Sequence, residues 1–245
     1  MTSPNSSRAN SGLGMNILAI DTSQKTVGVA LLEDEIIRAE TFVNRDVNHT
    51  EVLLPAIERT FQTAGLGIAQ IDLFALTLGP GSFTGLRIGA STVKGFALAT
   101  GKPVVGVSTL DALAQNAAWS DRLICPVLNA QKQQVYAAGY RAHADGRLEI
   151  TASERVTHVD DLLGGLREDV IFVGDGAVAC AGVIREALGE RAVFAPAHQH
   201  HVRAAAVGLL GCRKYRDGDV LDLFRFTPRY LRLSEAEDRL RIRQT

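Results

Sequence analysis

Twice along this chain, three short β-type apolar runs are followed by alternating helical and strand patterns, and that order restricts the fold more than any other feature. In the first half the runs are ILAID (17–21), VGVALL (27–32) and EIIRAET (35–41). Short β-branched runs with turn residues between them indicate an antiparallel meander. A helical pattern at 49–64 follows, with Leu53, Ile57, Phe61 and Ala64 at three- and four-residue spacing. Then come a strand (DLFALTL, 72–78), a helix at about 83–99, a strand (VVGV, 104–107) and a helix (TLDALAQNAA). A meander joined to helix crossovers makes a layered α/β domain.

The second half repeats the style. LICPVLN (123–129), QVYAAGY (134–140) and the region of Leu148-Glu149-Ile150 form a second meander. HVDDLLGGL (158–166) is helical, DVIFVGDGA (169–177) is a strand ending in a Gly-Asp-Gly turn, and helices follow at 178–188 and 201–218. The expected organisation is a disordered polar leader (1–14), a first domain (15–120) and a second domain with a C-terminal tail (121–245). Thr50 is the expected N-cap of the first long helix and Gly65 its stop. Pro55 is tolerated only in a first turn, which places the regular helix from about Leu54. Ser82 is the expected cap of the next helix, and Ser108 or Thr109 of the third.

The segment GPGSFTGLRIGASTVKGFALATG (79–101) sets Gly85, Gly89 and Gly95 inside an otherwise good helix. Each glycine costs about 1 kcal/mol relative to alanine there. Three reasons fit: tight packing inside the domain, approach of a foreign helix along Gly85 and Gly89, or an anion held at the helix start by Gly81, Ser82 and Phe83. The loop is not a Walker A motif, lacking the lysine and hydroxyl pair, and it is not GxGxxG.

Composition excludes several classes. A formal net charge of −1 gives no global field for nucleic acid or an anionic membrane. Cys125, Cys180 and Cys212 are odd in number and far apart, against a disulfide framework or a zinc site and consistent with a reducing cytoplasm. No apolar run approaches the roughly 20 residues of a membrane span.

ILAIDTSQKTVGVALL, LTLGPGSFTGLRIGASTVKGFALATGKPVVGVSTLDALA and TPRYLR together resemble the TsaB (YeaZ) family, from about Met15 to Leu233. The resemblance implies an actin-like (ribonuclease H-like) fold of two related domains, of the sugar-kinase and heat-shock-chaperone class. It implies a cytoplasmic, non-catalytic dimerisation subunit with no cofactor of its own. Its partners would be a TsaD-type catalytic paralogue and a TsaE-type ATPase, with tRNA met indirectly and a homodimer as the alternative when alone. That assembly forms threonylcarbamoyladenosine at position 37 of tRNAs reading codons that begin with A. The alternative is an enzyme in its own right, nucleotide-dependent or a glycoprotease-like metallopeptidase.

The paralogue carries two metal-binding histidines four residues apart, and the matching positions here are Thr109 and Leu113. Leucine cannot ligate a metal and threonine is a poor ligand. No catalytic residue and no metal site is therefore expected, and His198, His200 and His201 read as a loop cluster. Asp21, Thr22 and Ser23, with Gly174, Asp175 and Gly176, stand at the two nucleotide loops of an actin-like fold and are expected to be a vestigial site. The helices at 50–64 and 82–99 are expected to meet the paralogue in a four-helix arrangement, through Leu53, Ile57 and Thr60 on one and Leu86, Ala90, Val93 and Ala97 on the other.

Overall fold

The computed structural model describes residues 14–45, 48–131 and 133–231; the expected leader, save Gly14, and the tail beyond Leu231 lie outside them. The first meander is β1 (Asn16–Asp21), β2 (Val27–Glu33) and β3 (Ile36–Val43), paired antiparallel. β4 (Leu73–Gly79) and β5 (Val104–Ser108) add parallel to β1, giving the order β3-β2-β1-β4-β5. The second sheet repeats this connectivity with β6 (Leu123–Asn129), β7 (Gln134–Ala142), β8 (Leu148–His158), β9 (Val170–Val173) and β10 (Ala192–Phe194), in the order β10-β9-β6-β7-β8. β6, β7 and β8 are antiparallel, and β9 and β10 run parallel to β6. The architecture is thus one mixed sheet used twice, in an actin-like α/β arrangement.

Both faces of the first sheet are covered, which explains why its strands read as continuous apolar runs rather than alternating ones. α1 (His49–Ala64) and α2 (Phe83–Thr100) cover one face, packing on Leu18, Ile20, Leu31, Phe74 and Leu76. α3 (Thr109–Gln115) and α7 (Ala204–Arg216) lie on the other, in a core of Ala19, Ala30, Leu32 and Ala75 that runs on into Ile124, Leu128, Tyr140 and Ile171 of the second sheet. α4 (Val159–Gly164), α5 (Asp175–Ala179) and α6 (Ala181–Leu188) belong to the outer face of the second sheet, around Phe172, Val127 and Ile184.

Several boundaries differ from expectation. Asn48, not Thr50, caps α1: its Oδ1 accepts the Thr50 N–H at 3.2 Å. Pro55 therefore lies inside the helix, on its exposed side. The strand of the Gly-Asp-Gly segment stops at Val173, and the helix begins at Asp175. The expected second domain also loses its C-terminal part. α7 packs on β1, β2 and β4 of the first sheet, where its small residues let it come close: a methyl at Gly211 would stand 2.6 Å from Ala75 Cβ. The following strap, residues 219–231, stays with the first half as well. The Leu221 N–H donates to the Val104 carbonyl (2.9 Å), Phe226 is buried beside α2, and the Arg229 N–H donates to the Leu78 carbonyl (2.7 Å).

Candidate cleft and partner face

β1 ends in Asp21-Thr22-Ser23, and this loop is packed inward. Asp21 is wholly buried. Its Oδ1 accepts from the Ser23 N–H (3.1 Å), Ser23 Oγ (2.6 Å) and Thr77 Oγ1 (2.8 Å), while Oδ2 has no partner. Burial pushes its carboxyl above the usual carboxylate range, against the pull of the Ser23 and Thr77 hydrogen bonds. Thr22 Oγ1 donates to the Gly85 carbonyl (2.8 Å). A methyl at Gly85 would collide with the Thr22 carbonyl oxygen, one at Gly89 with Thr22 Oγ1, and one at Gly81 with the Ser23 carbonyl oxygen. The glycines of α2 thus seat this loop. The open alternative of a foreign helix on Gly85 and Gly89 gives way to packing inside the domain.

The facing loop of the second half is equally self-contained. The Gly174 N–H donates to His200 Nδ1 (3.1 Å), and the Asn129 N–H donates to Asp175 Oδ1 (3.1 Å). Gly176 lies against the backbone of Leu128 and Asn129. At the start of α2, the Ser82 N–H donates to the Ser23 carbonyl (2.7 Å) and the Gly85 N–H to Ser82 Oγ (3.2 Å). Between the two loops is a cleft of about 430 Å³ lined by Lys25, Ser82, Asn129, Gln131, Tyr136 and Tyr230, among others. Several backbone donors of the two loops are committed within the protein, and Asp21 offers no exposed oxygen to a cation, which weighs against a nucleotide held by these residues. Titration of the isolated chain with Mg-ATP is expected to show no binding at micromolar concentrations; a saturable micromolar isotherm would count against this reading.

Thr109 and Leu113 are fully buried on α3, with Ser108 as its cap, and Leu113 Cδ2 packs against Gly174. Asp111 between them accepts from the Tyr140 hydroxyl (2.7 Å). No group of three or more His, Cys, Asp or Glu side chains is placed to hold a metal among the described residues. The three histidines do not converge on one point. His198 is exposed, His200 is spent on Gly174, and His201 leans on Phe42 with ring centroids 5.9 Å apart.

The expected partner stripe requires correction. Leu53, Ile57, Thr60, Leu86, Ala90, Val93 and Ala97 are all buried in the monomer. They form the inner faces of α1 and α2, because the most apolar stripe of a helix is the one its own sheet takes. The outward faces carry Leu54 (57 % exposed) and Leu98 (60 % exposed), with Ser91, Gly95 and Ala99 also exposed. No atom lies within 4 Å of where a Gly95 methyl would be. A third side of α2 is occupied by the strap. The Phe83 and Tyr230 rings are 4.7 Å apart, Arg87 lies 3.8 Å over Phe83, and its Nε donates to the Tyr230 hydroxyl (3.1 Å). Arg87 and Tyr230, absent from the expected site, join two of the strings that carry the resemblance, GPGSFTGLRIG and TPRYLR.

The family model described as "TsaD: tRNA N6-adenosine threonylcarbamoyltransferase" matches residues 41–239. The tRNA threonylcarbamoyladenosine biosynthesis protein TsaB of Bacillus subtilis (strain 168) is 33 % identical over 226 residues, 91 % of this chain and 96 % of that one. Its namesake in Escherichia coli (strain K12) is 31 % identical over 92 % of this chain and 98 % of that one. Among solved structures, YeaZ from Pseudomonas aeruginosa superposes with a TM-score of 0.76 at 26 % identity, covering 89 % of this chain and all of that one. Alike in sequence over nearly the whole length of these relatives, and alike in fold, the chain belongs to the TsaB family.

Proposed function

We propose that this chain is a non-catalytic subunit that binds and activates a TsaD-type catalytic paralogue, which forms threonylcarbamoyladenosine at position 37 of tRNAs reading codons that begin with A. The observation that carries the reading is the outward face of α1 and α2. Leu54 of α1 and Leu98 of α2 are exposed there, and nothing lies within 4 Å of a methyl at Gly95 of α2. A helix pair from a paralogue can approach such a surface closely and bury its leucines. Leucine and threonine at the metal positions 113 and 109, both buried, argue against the paralogue's chemistry in this chain. A TsaE-type ATPase would join through the assembled complex. Near-zero net charge leaves the tRNA grip to the partners. A homodimer of the isolated chain would use the same face, since one self-complementary patch serves both assemblies.

The test is Leu98→Glu, alone and with Leu54→Glu. Central apolar anchors contribute about 2 kcal/mol or more to an interface, so heterodimer affinity is expected to fall at least about thirtyfold. The melting temperature of the isolated chain stays within a degree or two of wild type, because both side chains already face solvent. The isolated wild-type chain turns over no threonylcarbamoyl adenylate. Undiminished complex formation by the double variant would place the interface elsewhere, and turnover by the chain alone would overturn the non-catalytic role.

A further inference from the structure

The chain crosses from its second sheet back to its first through residues 199–203, and this segment carries two adjacent histidines, of which His200 is used in its neutral form. His200 is 7 % exposed, and its Nδ1 accepts the backbone N–H of Gly174 at the Gly-Asp-Gly turn of the second half. An imidazole nitrogen that accepts from a backbone amide must be unprotonated, so the proton of neutral His200 is on Nε2. His201 Nε2 lies 3.3 Å from Asn44 Nδ2 at the end of β3, in the first half, and its Nδ1 is buried without a partner. The backbone between them is held on both sides. The Val202 N–H donates to Gln24 Oε1 (2.9 Å), and Asn116 Nδ2 donates to the Gln199 and His201 carbonyls (2.9 and 2.8 Å).

We propose that the His200–Gly174 hydrogen bond, backed by His201, is an acid-sensitive latch that fixes the second sheet against the first and lets the seam loosen when the imidazoles take up protons. Protonation gives His200 a second N–H, which then faces the Gly174 N–H with nothing to accept either. His49 makes the contrast: its Nε2–H donates to the Gln24 carbonyl (2.8 Å), a bond that survives protonation. The other charged groups at the seam are Asp175 beside Gly174, the exposed His198 on the same turn, and the Arg203–Glu40 pair (2.6 Å), whose guanidinium also lies 5.0 Å over Phe42. Only Asp175 favours the charged His201. Burial, first, and His200 hold its imidazole below the ordinary value. A base with a depressed folded pKa stabilises the fold fully above its unfolded value of about 6.5, and that stability is lost as pH falls from there through the folded value.

The experiment is amide hydrogen exchange at Gly174 in the full chain, corrected for intrinsic rates. Protection is expected to fall by up to about tenfold for each imidazole that takes up its proton between about pH 7.5 and about pH 5.5. His200→Asn, which places an amide oxygen where Nδ1 stands, should stay protected at both pH values. His200→Ala should be unprotected at both. If the alanine variant does not fold, nitrogen-15 spectra of the wild-type imidazoles decide: the Nε2-protonated tautomer of His200 at neutral pH supports the latch, and the Nδ1-protonated one overturns it. Gly174 protection that ignores pH in the wild type, or falls equally in His200→Asn, also overturns it.

Discussion

Val93→Glu is expected to unfold the isolated chain rather than merely to separate it from a partner. Val93 is fully buried on the inner face of α2, in the cluster of Leu18, Ile20, Phe74 and Leu76. A carboxylate placed there has no cation opposite it and no water to reach. An uncompensated buried charge costs about 3–5 kcal/mol, a large share of the roughly 5–15 kcal/mol that holds a typical domain together. For a chain of this length that is a fall of about 6–20 °C in melting temperature, or loss of soluble protein. Leu98→Glu, five residues on and facing water, leaves melting unchanged. Thermal unfolding of the two variants side by side checks the orientation of the helix. If Val93→Glu melts like wild type, α2 is rotated from the position described.

Gly85→Ala and Gly95→Ala should move stability in opposite directions, although both exchange glycine for the better helix former. At Gly85 the new methyl meets the Thr22 carbonyl oxygen, a backbone atom that cannot swing aside, with Ser82 Cβ and Oγ at 3.3 Å. Overpacking of this kind costs about 1–3 kcal/mol. At Gly95 nothing lies within 4 Å, so the substitution only removes backbone freedom from the unfolded chain and gains about 0.5–1 kcal/mol. Denaturant titration separates the two. A Gly85→Ala variant as stable as wild type would show that Thr22 is not seated on α2. Gly95→Ala also narrows the open approach on the outward face, so it should weaken complex formation while stabilising the monomer.

Local spacing made the doubled meander-and-crossover order legible, and it placed α1 and the ends of α2 closely. It could not orient α2. Phe83, Leu86, Ile88, Ala90, Val93, Phe96, Ala97 and Leu98 nearly encircle the helix, so periodicity there is degenerate. Three claimants divide that circumference: the sheet, the strap and the outward face. The strap's share rests on Arg87 and Tyr230, 143 residues apart, a separation at which no helical or strand period carries information. His200 and Gly174 escaped for the same reason. The histidine cluster was visible as a cluster, but not as the acceptor for a glycine amide in a loop 26 residues away. The N-cap of α1 was missed by two residues because Asn48 and Thr50 are both good capping residues and adjacent turns compete for them. Of the three glycines read as needing a reason, Gly85 and Gly89 have a close neighbour, the Thr22 loop of the same domain, while Gly95 has none within 4 Å.

The return of α7 to the first sheet has a consequence for how the chain is made. β1 to β5 are complete by Ser108, yet the face carrying Ala19, Ala30, Leu32 and Ala75 is covered only in part, by α3 and the second half, until residues 204–216 exist to complete it. Through synthesis of the whole second sheet, the emerging first half keeps the part of this apolar surface that α7 later covers. Contacts of such long sequence separation form late, and exposed apolar faces aggregate meanwhile. A ribosome stalled before α7 is therefore expected to hold a first sheet with part of its apolar face uncovered, and maturation of that sheet waits for α7 to leave the tunnel.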